Sequence, residues 1–462
     1  MVLAVFLGTF MSLLDVSVVN VALPAMQDDL SAGFSTVQWV VDSYTLCLSA
    51  LILTGGSLAD RFGRKRLYLG GLGVFVLGSL LCAVAPTTTV LILGRLVQGI
   101  GAAAVAPGAL SLLVQGFPEK RQQARMIGLW GACVALAVVV GPLVGGVLTD
   151  VFGWPAIFLV NLPLGAIAII AGLRGITESS DPAHAGADPA GQVLAVGWLA
   201  ALTYAVLEAG HRGWGAPLIL SLLAVAAALF AAFVVVERRV ARPMLPAGLF
   251  ARPRFAVVTF SSFVLGFGAY GTFYLLSLFL QQVQGASAAE TGVRFLPYSL
   301  GIAAGSVLGG RIGGDCVMLA GYTMIGGGLL SLLVVQPDTA YPLIGVLFAV
   351  LGVGMGFAIT TTNSAGVSAV GRERSGTAAA TATAARQTGT ALGIAALGAI
   401  VNANLDAGFT TGLHWALVVA GGLTLVAAFL VATVRERPAV PVPEPSEPEL
   451  PVVHTAEQQL RQ

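Results

Sequence analysis

Long apolar runs separated by short polar stretches recur along all 462 residues. A helix rises about 1.5 Å per residue, so about 20 apolar residues in a row cross roughly 30 Å of hydrocarbon. The pattern predicts fourteen such spans, at about 2–22, 37–58, 67–86, 89–115, 126–149, 156–173, 191–208, 216–236, 255–280, 292–310, 316–335, 341–362, 376–401 and 413–433. Hydrophobic residues make up 56% of the chain, mean hydropathy is +0.89 and only 10% of residues are charged. Such a composition excludes a soluble domain with a polar surface and predicts an all-α polytopic membrane protein.

Loop charge then sets an expected orientation. With the N-terminus cytoplasmic, the 23 Lys and Arg residues collect on the inner side, except Arg212 and Arg294 outside and Arg95 and Arg386 within spans. This asymmetry favours an even number of crossings with both termini inside. The first span lacks a basic leader and is soon followed by another, so it reads as a retained helix. A net charge of +1 gives no reason to expect a nucleic-acid partner. Lys65 and Lys120 are the only lysines, and with abundant Ala and Gly this suggests a GC-rich bacterium and its cytoplasmic membrane. Cys47, Cys82, Cys133 and Cys316 stand singly without metal-ligand spacing and are expected to be free, buried thiols.

Sliding the chain along itself by about 255 residues aligns Gly55-Gly56 with Gly309-Gly310 and Gly99-Ile-Gly101 with Gly354-Met-Gly356. A duplicated six-helix bundle is the organisation of many carriers, with the substrate site between the halves. The expected division is a first bundle at 1–175, a cytoplasmic linker at 176–190, two inserted helices at 191–236, a second linker at 237–254, a second bundle at 255–434 and a cytoplasmic tail at 435–462. The tail is too rich in Pro and Glu to fold alone.

Charges inside apolar spans are costly, and by default they mark sites. Asp15, Asp42 and Arg95 all fall roughly 10 Å below the outer surface by helical rise, so they could meet. Burial disfavours a charged carboxylate and a neighbouring Arg favours it, which makes such a cluster able to load and release a proton. A structural ion pair is the alternative. In the second half, Tyr270 stands opposite Asp15, and Arg386 is the one deep charge. Asp60, Arg61, Gly63 and Arg64 form a short loop after the second span, where an acid at the inner edge could latch onto the other half. Gly128, Gly141, Pro142, Gly145 and Gly146 give the fifth span small contact surfaces and a bend. Phe263, Phe267, Tyr270 and Tyr274, spaced four, three and four apart, could place their rings on one helix face as a pocket lining, although such stripes are often packing. Asn20, Trp39, Gln98 and Trp130 are further candidate lining residues. No phosphate loop, metal-ligand motif or nucleophile elbow is present, so the chain is not read as an enzyme.

Taken together, Leu14-Asp15-Val-Ser-Val-Val-Asn20-Val-Ala-Leu-Pro24, Gly56 to Tyr68, Arg95-Leu-Val-Gln98-Gly99-Ile-Gly101 and the fifth-span Gly141-Pro142-Leu-Val-Gly145-Gly146 resemble the fourteen-helix drug:proton antiporter branch of the major facilitator superfamily. Phe158-Leu-Val-Asn161-Leu-Pro163 and Leu280-Gln-Gln-Val-Gln-Gly285 are similar to that branch too. The resemblance implies the major facilitator fold, two six-helix bundles plus two inserted helices, exporting a small hydrophobic compound, neutral or cationic, in exchange for protons. It implies substrate or proton binding at Asp15, proton coupling at Asp42 and Arg95, a latch at Asp60 and a leak-proof closure at Gly141-Pro142. No cofactor beyond the proton gradient is expected, and the carrier is expected to act as a monomer in the lipid bilayer. Ala137 and Trp154-Pro155 depart from the branch's pattern, and the second-half loop Gly310 to Gly321 lacks its basic cluster.

Overall fold

The computed structural model describes residues 1–117, 119–180, 189–240, 247–369 and 375–434. The tail at 435–462 and the middle of each linker lie outside the described residues, as do the side chain of Asp60 and the surroundings of Gly128.

The described chain is helical throughout. The first half comprises α1 (Val2–Asp29), α2 (Phe34–Phe62), α3 (Arg64–Ala83), α4 (Thr88–Gly116), α5 (Lys120–Phe152), the short α6 (Ala156–Leu159) and α7 (Asn161–Gly175). An inserted pair follows, α8 (Pro189–Arg212) and α9 (Pro217–Arg239), then one turn, α10 (Ala247–Phe250). The second half holds α11 (Pro253–Leu265), α12 (Gly271–Leu278), α13 (Ala288–Arg294), α14 (Leu296–Ile312), α15 (Gly314–Ser331), α16 (Tyr341–Ser368), α17 (Ser375–Asn402) and α18 (Phe409–Thr433). Prolines open α9, α11, α14 and α16, where a missing N–H costs nothing. Among the described residues, eleven helices are long and apolar enough to cross a membrane. Of the remaining predicted spans, α14 has 17 residues and α2 has its apolar stretch within Thr36–Ile52. The third, α17, is rich in Ala, Gly and Thr and has few large apolar side chains.

The two halves pack by the same device. Gly71 of α3 meets the Gly101 carbonyl of α4, and Gly305 of α14 meets the Val353 backbone of α16. Lipid offers no hydrophobic drive between helices, so close backbone approach through small residues supplies the van der Waals contact. Between the halves, α1 lies against α12, α2 against α17, and α5 against α13 and α14. The inserted α8 packs on both α2 and α17.

Two interior prolines build the seam between the halves. A proline has no N–H to offer the carbonyl four residues earlier. Pro24 thereby frees the Asn20 carbonyl of α1, which accepts from Ser277 Oγ of α12 at 2.9 Å. Pro142 frees the Val138 carbonyl of α5, which accepts from the fully buried Ser299 of α14 at 3.4 Å. Gln281 Nε2 donates to the Val21 carbonyl, Gln282 Nε2 to Gln27 Oε1, and Ser287 Oγ and the Ala289 N–H both donate to Asp150. These bonds run from mid-helix to the end where α1 finishes at Asp29, so that end is sealed.

Each seam hydrogen bond contributes about 1 kcal/mol net. The double variant Ser277→Ala/Ser299→Ala, which loses two such bonds, is therefore expected to label about thirtyfold faster at an introduced Val21→Cys thiol, in a background without the native cysteines. A membrane-impermeant maleimide added from the Asp29 side reads the rate, and an unchanged rate would show that these bonds do not hold the seam.

Candidate transport site

Arg95 sits one third of the way along α4, 1% exposed, where an unpaired cation would be prohibitive. Five groups answer it. Its Nη1 donates to Asp15 Oδ2 at 2.5 Å and to Gln98 Oε1 at 2.8 Å, and its Nε donates to the Val40 carbonyl at 2.9 Å. The guanidinium carbon lies 4.3 Å from the centre of the Tyr44 ring and 6.0 Å from that of Phe158. Aromatic faces and a carbonyl thus replace the water an exposed guanidinium would have.

The carboxylate is held as fully. Asp15 Oδ1 accepts from Gln98 Nε2 at 3.1 Å and from Asn161 Nδ2 at 2.9 Å, while Ser79 Oγ accepts from Gln98 Nε2 at 2.7 Å and from Asn161 Nδ2 at 3.3 Å. Asp15, Ser79, Gln98 and Asn161 are all fully buried. Gln98 reaches this place because it lies one helical turn below Arg95, and Asn161 because a turn at Val160 separates α6 from α7. Four helices, α1, α3, α4 and α7, are joined by one polar knot.

Asp42 is not in that knot. It is fully buried, and neither carboxylate oxygen has a hydrogen-bond partner among the described residues. It lies one turn beyond Gln38, whose Nε2 donates to the Ile394 carbonyl of α17 at 2.9 Å, so this face of α2 looks toward the second half. Tyr274 of α12 is its neighbour across the seam. The expected cluster of three is therefore a bonded pair plus a separate carboxyl at the seam: equal depth does not fix which way a side chain points.

Other expected residues also separate. Trp39 packs at a tilt against Tyr204 of the inserted α8, with ring centres 5.9 Å apart. Trp130 Nε1 donates to Thr9 Oγ1 at 2.9 Å, tying α5 to α1. The Asn20 side chain bonds back to the Val16 carbonyl of its own helix, at 2.8 Å. The aromatic stripe is interrupted by a π-helical turn at Gly266–Tyr270, and a second follows it at Phe279–Val283. Phe263 and Phe267 stack at 6.2 Å, Tyr270 sits in the field of Arg386, and the fully buried Tyr274 faces Asp42. A wider turn shifts the register, so spacings of four, three and four no longer describe a single face.

In the fifth-span motif, Gly141 meets Ser17 of α1 and a Cβ on Gly145 would lie 2.7 Å from Val18 Cα, while Gly146 meets the Ala288 carbonyl of α13. The motif faces two partners and leaves no room for side chains toward either. In the loop after α2, Gly63 turns the chain at φ 109°, and a side chain there would strike Glu178. Glu178 accepts from the backbone N–H groups of Lys65 at 3.0 Å and Arg66 at 3.2 Å, so the start of the first linker caps α3. Arg64 N–H donates to the Ser179 carbonyl at 2.9 Å, and Arg61 lies over the Phe62 ring. Of the four cysteines, all free, Cys82 is buried but Cys316 is exposed at the start of α15, contrary to the expectation of burial.

Paired helical bundles that enclose an ion pair and meet along a hydrogen-bonded seam define a multi-pass membrane transporter. The chain belongs to the Major Facilitator Superfamily, whose model matches residues 5–394. It is 37% identical over 430 residues to the methylenomycin A resistance protein of Bacillus subtilis, covering 92% of each chain. With the multidrug resistance protein Stp of Mycobacterium tuberculosis it shares 38% identity over 410 residues, covering 88% of this chain and 76% of that one. The fold is similar to that of a POT family transporter crystallised with a thioalcohol-conjugated peptide, with TM-score 0.70 at 13% identity over 94% of this chain and 96% of that one.

Removing one member of a buried pair leaves the other uncompensated, at a cost of about 3–5 kcal/mol. Asp15→Asn and Arg95→Gln are each expected to lower the thermal unfolding midpoint of the purified protein sharply. Their combination is expected to recover part of the loss, whereas simple additivity would show that the two charges do not depend on each other.

Proposed function

We propose that this protein is a proton-coupled antiporter that exports a small hydrophobic drug or antibiotic across the cytoplasmic membrane by alternating access. The observation that carries the reading is Asp42, a carboxyl with no bonded partner among the described residues, buried on the face of α2 that turns to the second half and apart from an ion pair that is already satisfied. A lone charge in a dry seam is costly, so Asp42 holds its proton while the Asp29 end is sealed and gives it up when the seam parts and water reaches it. The Asp15–Arg95 pair remains balanced within the first half and acts as the fixed reference against which that proton moves. Fourteen crossings with both termini cytoplasmic make the sealed end the outer one, and the protein in this state receives cargo from inside.

The relatives support the cargo class: they are named for resistance to methylenomycin A and to multiple drugs. The close approach of Gly146 to the Ala288 carbonyl supports exchange over free leak, since it keeps the outer seam tight, while Gly141 and Gly145 hold α5 against α1.

The test has two arms. An efflux-deficient bacterial host expressing the chain is expected to survive a panel of hydrophobic antibiotics, with protection lost in Asp15→Asn. In proteoliposomes under an imposed pH gradient, a protecting compound is expected to drive proton movement in the wild type and none in Asp42→Asn. Compound movement with undiminished proton flux in Asp42→Asn would remove Asp42 from the coupling.

A further inference from the structure

Arg386 of α17 is a deep charge that the Asp15–Arg95 site does not use. It lies eleven residues into the helix, half-buried, with Nη1 3.5 Å from Asn363 Oδ1 of α16. Asn363 is exposed, so the pair opens onto accessible space. Tyr270, the last residue of the π-helical turn, and the fully buried Tyr322 of α15 both lie within the reach of its charge, and the Tyr322 hydroxyl is 3.0 Å from Thr362 Oγ1. Among the described residues no carboxylate pairs with Arg386.

In the first half, Arg95 is neutralised by Asp15. In the second half, the internal repeat puts Tyr270 in the place of Asp15 and Val350 in the place of Arg95, and Tyr270 lies instead near Arg386, a cation from a different helix with no carboxylate paired to it among the described residues. A tyrosine hydroxyl and an amide can donate or accept, but neither cancels a charge. A cation placed this way inside a membrane protein needs an anion, and one open to accessible space can take it from a ligand. The backbone around it is fixed, because Gly266 sits hard against the Arg386 carbonyl and Gly389 against Phe263. The guanidinium therefore projects from a rigid junction of α11 and α17.

We propose that Arg386, with Asn363 and the half-buried Tyr270, forms an anion-binding subsite in the second half, which takes the carboxylate of a lipophilic organic acid. This narrows the cargo class and rests on the export reading above. The fork of the guanidinium suits the two oxygens of a carboxylate, and the neighbouring Tyr270 ring suits an apolar or aromatic body attached to it.

The probes are 1-naphthylacetate and its methyl ester, measured by equilibrium dialysis against the full chain in nanodiscs, with empty nanodiscs subtracted. The wild type is expected to bind the acid about tenfold more tightly than the ester, the gain of a charge-assisted bond. Arg386→Gln is expected to bring that ratio close to one, and Arg386→Lys, which keeps the charge, to retain a preference for the acid. Unliganded thermal unfolding of each variant confirms that it folds. Failure of the wild type to prefer the acid, absence of acid binding, or a preference that survives in a folded Arg386→Gln would each overturn the subsite. The export reading is judged apart, by protection of the efflux-deficient host against neutral antibiotics: protection without acid preference sinks the subsite alone, and no protection by the wild type sinks the export reading.

Discussion

The contact between Arg95 and Asp15 is the constraint around which the first half is arranged. A guanidinium deep in an apolar bundle has to find its opposite charge, its hydrogen-bond acceptors and something to replace water. Each requirement recruits a different helix: the carboxylate comes from α1, a carbonyl and a ring from α2, amides from α4 and α7, and a hydroxyl from α3. Because the members bond to one another as well as to the charges, the bundle cannot shift one helix without unsatisfying several polar groups at once. This favours motion of the half as a body over sliding within it.

The seam between the halves is built differently. Its hydrogen bonds are mostly single and neutral, and two of them are made to carbonyls that proline has released from the helix ladder. Each can be exchanged for a bond to water at little cost when the seam opens. The molecule thus combines a stiff polar knot inside one half with a reversible closure between the two, which is the mechanical division that rocking carriers require.

Much of this was legible in the chain. Apolar run lengths predict the helices, and a cation within one predicts a partner at matching depth, which Asp15 is. Helical rise alone gives only the depth of Asp42; its rotation is marked by the polar stripe Gln38, Asp42, Thr45 and Ser49, spaced four, three and four along α2, a face distinct from the one Val40 and Tyr44 turn to Arg95. Asn161 carried a signal that was passed over: an amide in an apolar run at the head of a helix has to bond something. Glu178 likewise follows directly on a span and precedes a loop, but its partner is a helix start more than a hundred residues earlier. The π-helical turns left no mark in the spacing of the aromatic residues, and so the stripe from Phe263 to Tyr274 was read on the wrong period.

The inserted helix α8 packs on α2 of one half and α17 of the other, with Gln192 bonding the Ala50 carbonyl and Trp39 packed at a tilt against Tyr204. The opposite edge, where α5 meets α13 and α14, has no such third helix among the described residues. The seam is therefore covered by a third helix on one flank and closed by the two halves alone on the other, so the two faces this protein turns to its lipid neighbours are not equivalent.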